Sequence, residues 1–123
     1  MPHLVFEGDV DLSAYARDYA PVLIRHGKDV LRADRVYVER EQREVLIEAL
    51  VVEAGRKMPF YVRISRHTDG STTLRVDPMT HPERSPGLRE LVTTLAEQLL
   101  ARTRGAKIRA TNLVLPSAVG ESG

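Results

Sequence analysis

Hydrophobic and polar positions alternate along several short stretches of the chain, and this pattern predicts a protein built largely of strands. Residues 3–7 form an apolar run that ends at Gly8, and residues 35–40 alternate valines with polar side chains. Residues 44–53 are apolar on both faces, which is typical of a central strand. A helix over 44–53 stays open as an alternative, because Glu, Ala and Leu are good helix formers.

The next part of the chain predicts a hairpin followed by a loop. Residues 60–67 place apolar side chains on one face of a strand, and Asp69-Gly70 is a strong signal for a turn into a strand over 72–76. Two prolines lie between residues 77 and 85, which predicts a loop there. A last strand is predicted over residues 107–115.

Helical spacing of apolar residues predicts two helices. The first runs over about 11–31 with Asp11 as its N-cap, although Pro21 lies inside it and is expected to kink or divide it. The second starts at Ser85, an N-cap followed directly by proline, and carries a leucine stripe. Gly105 is predicted to end this second helix.

These elements predict an α+β fold, in which a mixed β-sheet carries two helices on one face. Residues 1–115 are predicted to form a single domain, and the small-residue tail over 116–123 is predicted to be disordered. The second face of the sheet would then be a bare apolar surface. We therefore expect a homo-oligomer with closed symmetry.

Composition excludes several classes of function. The 123 residues have a net charge of +1, so neither a nucleic acid nor a membrane is an expected partner. There is no cysteine, which excludes disulfides, thiolate metal sites and cysteine nucleophiles. The four histidines have no metal-ligand spacing, and we expect neither a metal nor a cofactor. No membrane span or signal peptide is recognisable, which indicates a cytoplasmic protein.

Pro2 is the residue with the clearest chemical potential. Aminopeptidases readily remove an initiator Met that precedes a small residue, and removal of Met1 would leave a secondary amine on a rigid ring. An N-terminal amine titrates close to neutrality, and burial or a nearby cation lowers its pKa further. Pro2 is therefore a candidate general base, provided that Met1 is removed.

Residues 2–7, Pro-His-Leu-Val-Phe-Glu, resemble the start of the tautomerase superfamily. The likeness is to 5-carboxymethyl-2-hydroxymuconate isomerases and to tautomerase-like proteins that begin Met-Pro-His. The resemblance implies a trimer of pseudo-symmetric β-α-β units in which the amino-terminal proline is the general base. It also implies keto–enol tautomerisation of a small carboxylate-bearing substrate. The hairpin over 60–76 departs from this family pattern as an insertion.

Such a reaction needs a cation for the substrate carboxylate and the developing enolate, preferably an arginine. Arg35 and Arg40 flank the predicted second strand and Arg63 lies within a later one, so these three are the predicted substrate-binding residues. The alternative for each is a solvated position on a sheet face or an ion pair with Glu39, Glu44 or Glu48.

Two classes of function are left open by the sequence. One is a cofactor-independent tautomerase or isomerase that uses Pro2. The other is a non-catalytic oligomeric binding module on the same scaffold, and retention of Met1 would favour it.

Overall fold

The computed structural model describes residues 1–115 and shows an α+β fold, which confirms the predicted class. The predicted disordered tail over 116–123 lies outside the described residues. In chain order the elements are β1 (His3–Asp9), α1 (Leu12–Arg17), β2 (Val22–His26), β3 (Asp29–Val38), β4 (Glu44–Glu53), β5 (Arg56–Arg66), β6 (Ser71–Val76), α2 (Pro86–Ala101) and β7 (Arg104–Thr111).

The seven strands form one curled sheet in the order β2-β3-β4-β5-β6-β1-β7. Every neighbouring pair is antiparallel, so the prediction of a mixed sheet is wrong. β6 and β7 run in the same direction on either side of β1, and α2 joins them. β1 and β2 run in opposite directions, so α1 forms no second β-α-β unit to match the pseudo-symmetry that the resemblance implies.

The segment after β1 differs most from its prediction. Asp11 is the N-cap as predicted, and its Oδ1 accepts a hydrogen bond from the Ala14 N–H at 3.1 Å, but the helix ends at Arg17. Pro21 has no N–H for a helix, and a β-branched and leucine run follows it. Gly27, with a φ of 60°, begins the two-residue turn between β2 and β3. A hairpin therefore replaces the second half of the predicted helix.

The second helix is confirmed at its start and is shorter than predicted at its end. The Ser85 hydroxyl accepts a hydrogen bond from the Leu88 N–H at 3.0 Å, and Pro86 occupies the first turn. The helix ends at Ala101, and Gly105 lies in β7 with a φ of 62°. β7 therefore starts and ends earlier than predicted: it spans Arg104–Thr111, whereas the sequence predicts a strand over 107–115.

Both helices pack on one face of the sheet, which we call the inner face. The Tyr15 hydroxyl of α1 donates to the Gln98 side chain of α2 at 2.9 Å, so the helices lie side by side. Alternate residues of the strands join one buried cluster with the apolar side of α2; its largest fully buried side chains include Leu4, Phe6, Leu31, Ile47, Ile64, Leu74, Leu88, Leu91, Leu95 and Leu99. No helix within residues 1–115 is long and apolar enough to cross a membrane.

The opposite, outer face is not the bare apolar surface that the sequence predicts. Leu46 and Leu50 of β4 are only half-buried, and the long side chains of Tyr37 and Arg63 lie opposite Leu46 on the neighbouring strands. Glu48 lies between the two leucines. Charged and apolar side chains are interleaved here, so the apolar surface is broken into small parts.

Candidate functional site

The chain terminus that contains Pro2 is held in place by residues at the end of β7. The His3 N–H donates to Asn112 Oδ1 at 2.9 Å, and Asn112 Nδ2 donates to the Met1 carbonyl at 2.9 Å. The Thr111 hydroxyl donates to the His3 carbonyl at 2.7 Å. Pro2 itself is buried, although it precedes the first strand. Its position is therefore fixed by contacts on both sides of the residue.

Pro2 lines a cleft of about 520 Å³ at the start of β1. β6 pairs with β1 so that Arg75 lies opposite His3, which brings the end of β6 to the terminus. The remaining wall comes from the loop that follows β6; the lining residues are Met1, Pro2, His3, Arg75, Val76, Asp77, Pro78, Thr80, His81 and Pro82. This volume lies within the range of small-molecule sites.

Arg75 supplies the positive charge of the cleft. Its side chain is exposed, and no carboxylate of residues 1–115 lies within 4.0 Å of it. No hydrogen bond within that part of the chain uses its guanidinium either. An arginine without a partner beside a cleft can bind a carboxylate through two parallel N–H···O bonds.

The loop wall of the cleft is held by Asp77, which is only 4% exposed. The Asp77 N–H donates to the Tyr61 carbonyl at 2.7 Å, and the Thr80 hydroxyl donates to the Asp77 carbonyl at 2.8 Å. Asp77 Oδ1 accepts from the Met79 N–H at 3.1 Å. These bonds fix the first turn of the loop, so the cleft has a preformed wall.

Arg63, one of the predicted substrate-binding residues, lies one strand away from the cleft. Its guanidinium is 3.5 Å from Asp77 and 3.5 Å from Glu44, so both of its neighbours are carboxylates of this chain. Its register partner in β6 is Arg75. Arg63 therefore contacts the wall of the cleft through Asp77 and does not line the cleft itself.

Arg35 and Arg40 do not line the cleft with Pro2 either. Arg35 lies on the outer face with its Nε 3.9 Å from Glu48, and a hydrogen bond with Tyr37 raises the pKa of its guanidinium. Arg40 is exposed in the turn between β3 and β4. Arg35 and Arg63 are therefore in ion pairs with carboxylates of this chain, which is the alternative interpretation of these residues.

Arg75 and His81 line the cleft and were missed by sequence reasoning. Arg75 stands in a strand with no local motif around it, and only the pairing of β6 with β1 brings it beside the terminus. His81 lies in a loop whose path the sequence does not specify. The register that joins residues about 70 positions apart is a tertiary property.

In comparisons with known proteins, no protein-family model matches the chain, and no curated protein or solved structure matches it.

Proposed function

We propose that the cleft at the amino terminus binds a small carboxylate-bearing molecule and that Pro2 catalyses its keto–enol tautomerisation once Met1 is removed. The observation that supports this most is that Pro2 and the unpartnered Arg75 line the same cleft. This chemistry needs a base, a cation and a pocket of suitable volume.

The Pro2 nitrogen would act first as a base and then as an acid. In ketonisation, the neutral amine takes the proton from the enol hydroxyl of the substrate, and the resulting ammonium delivers a proton to the neighbouring carbon as the carbonyl forms. The charge of Arg75 stabilises the neutral form of a nearby amine and also binds the substrate carboxylate or enolate. Removal of Met1 also frees Asn112 Nδ2, which donates to the Met1 carbonyl when that residue is present.

The relation to the tautomerase superfamily belongs to this proposal and rests on residues 2–7. The antiparallel sheet gives no support to the pseudo-symmetric units, and the implied trimer stays a prediction. We infer a cytoplasmic location because amino-terminal Met removal takes place there.

The proposal is tested by ketonisation of phenylenolpyruvate, followed by ultraviolet absorbance, with protein whose mass shows that Met1 is removed. Pro2→Ala retains a processed terminus but exchanges the ring amine for a primary amine, and we expect kcat/KM to fall by about 10²-fold or more. Arg75→Gln is expected to raise KM on the order of tenfold, because it removes a charge-assisted contact. Arg25→Gln is the matched control, since Arg25 is an exposed arginine of β2 away from the cleft. Ketonisation that is unaffected by Pro2→Ala removes Pro2 from the mechanism.

A non-catalytic binding module is the second candidate, and one observation favours it. The Met1 carbonyl accepts from Asn112 Nδ2 and lies 3.2 Å from His3 Nδ1, so Met1 is an integrated part of the folded terminus. If Met1 is retained, the Pro2 nitrogen is an amide and has no basicity. The mass of the protein purified from its native cells distinguishes the two candidates. Carboxylate binding that is lost in Arg75→Gln but produces no turnover supports the module.

A further inference from the structure

The sheet has an open edge along the second half of β3, beyond Val22, the first residue of β2. β2 pairs only with residues 29–33 of β3, so the second half of β3 has β4 on one side and no strand of residues 1–115 on the other. The Glu39 N–H donates to the Glu44 carbonyl, and hydrogen bonding alternates along an antiparallel pair. The N–H and C=O groups of Val36 and Val38 therefore point away from β4. They are free to pair with another strand.

Apolar side chains are exposed along the same edge. Tyr37 is 45% exposed and Val38 is 43% exposed, and Leu23 in the neighbouring β2 is 57% exposed. Three of the six large apolar side chains that are exposed in residues 1–115 therefore lie on β2 and the second half of β3. Natural proteins usually protect such an edge with lysine, proline or a covering segment.

We propose that this protein forms a dimer in which residues 35–39 of two copies pair as antiparallel strands about a two-fold axis at Tyr37. In this register Val36 of each copy lies opposite Val38 of the other. The outward N–H and C=O groups of these valines then exchange four backbone hydrogen bonds. The seven-stranded sheets of the two copies join into one continuous sheet.

The side chains in this register complement one another, which selects a second copy as the partner. Arg35 of each copy lies opposite Glu39 of the other, so unlike charges meet at both ends of the contact. The two Tyr37 rings meet at the axis as a non-hydrogen-bonded pair, where side chains approach most closely. Aromatic and opposite-charge pairs in such positions stabilise strand pairing.

A shifted register is less complementary. An axis at Val36 places the Asp34 carboxylate opposite Val38 and leaves Glu39 without a cationic neighbour in the pairing. Asp34 is also the extra residue of a bulge between Ala33 and Arg35, where the regular strand is interrupted. The axis at Tyr37 avoids both problems, because the paired segment begins after the bulge.

This contact joins two copies and no more, because each edge is satisfied by one partner in a two-fold arrangement. It therefore differs from the trimer implied by the tautomerase resemblance. It also makes no use of Pro2 or Arg75, so its test is independent of the proposed function.

Charge reversal tests the pairing through the mass measured by sedimentation equilibrium. We expect Arg35→Glu and Glu39→Arg each to raise the dimer Kd on the order of tenfold or more, because two like-charged pairs replace two attractive ones. The double variant R35E/E39R is expected to restore the dimer. Arg104→Glu is the control, since it makes the same charge change on β7 at the opposite edge of the sheet. The proposal is overturned if the wild-type protein is monomeric at a concentration on the order of 100 micromolar. It is also overturned if Arg35→Glu leaves the dimer intact.

A disulfide test reads the register directly, because the chain has no cysteine of its own. Tyr37→Cys places the two thiols opposite each other at the axis, and we expect a covalent dimer after mild oxidation. Val38→Cys is the matched control, because each residue 38 lies opposite residue 36 of the other copy. Circular dichroism is used to check that both variants fold. Equal cross-linking of the two folded variants contradicts the register.

Discussion

The two faces of the curled sheet have different compositions and different roles. The inner face is a continuous apolar surface that α2 covers, and its side chains are almost completely buried. The outer face interleaves half-buried leucines with ion pairs such as Arg35–Glu48 and Arg63–Glu44. Stability is therefore concentrated on the inner face. Both proposed contacts with other molecules lie away from it, at the start of β1 and at the open edge of β3.

This contrast has a physical cause in the neighbours of each side chain. A leucine on the inner face contacts helix and strand side chains on every side and loses all of its contact with water. A leucine on the outer face contacts long arginine and tyrosine side chains, which cover it only in part. The same residue type thus contributes different amounts of free energy on the two faces.

The largest expected effect is the loss of an inner-face leucine. Leu95 of α2 is 0% exposed, and Leu95→Ala is expected to lower the free energy of unfolding by about 2–5 kcal/mol because it leaves a cavity. Leu46→Ala on the outer face is the control, with an expected loss of about 1 kcal/mol. Urea unfolding measures both values. Equal losses would show that the two faces do not differ in this way.

Replacement of a buried polar side chain on the inner face by an apolar one is expected to raise the free energy of unfolding. The Thr72 hydroxyl is buried and has no hydrogen-bond partner, so Thr72→Val is expected to raise the free energy of unfolding by about 1 kcal/mol. The Thr111 hydroxyl donates to the His3 carbonyl at 2.7 Å and accepts from the Leu113 N–H at 3.0 Å. Thr111→Val should therefore destabilise by about 1–2 kcal/mol. Thermal unfolding compares the two, and a destabilised Thr72→Val protein would refute the expectation.

The smallest effect is expected from an exposed ion pair between β2 and α2. His26 Nε2 lies 2.8 Å from Glu90, and this hydrogen bond raises the pKa of His26. The contribution of the pair is present below the unfolded histidine pKa of about 6.5 and is lost as the pH rises through the raised pKa of the folded protein.

Glu90→Gln should therefore lower the Tm slightly near pH 6 and leave it unchanged near pH 9. His26→Gln is the matched variant and should show the same dependence. A Tm difference that grows with rising pH would contradict the sign of this coupling.

The sequence predicted the α+β class, the buried strand over 44–53 and the start of α2 at Ser85. Each of these follows from a local signal, namely an apolar run or a capping residue with proline beside it. The helix over 11–31 was wrong because its apolar spacing also fits a hairpin. The break at Pro21 and the turn at Gly27 favour the hairpin once β4 is available as a partner for β3.

Of the residues that line the cleft, the sequence predicted only Pro2 as a site residue. Pro2 is recognisable because its chemistry depends on its place in the chain. Arg75 has no local motif around it, and its place in the cleft depends on the register between β1 and β6. The predicted Arg35 and Arg63 instead have carboxylate neighbours on adjacent strands, at 3.9 Å and 3.5 Å.

The sequence by itself determined which segments are apolar, where α2 begins and that Pro2 is a potential amine. These properties depend on residues that are close together in the chain, so local sequence patterns are sufficient to predict them. Only the tertiary structure decided the antiparallel strand order, the cleft shared by Pro2 and Arg75 and the open edge of β3. Strand order and register depend on contacts between residues far apart in the chain, and several pairings satisfy the same local pattern until the core is packed.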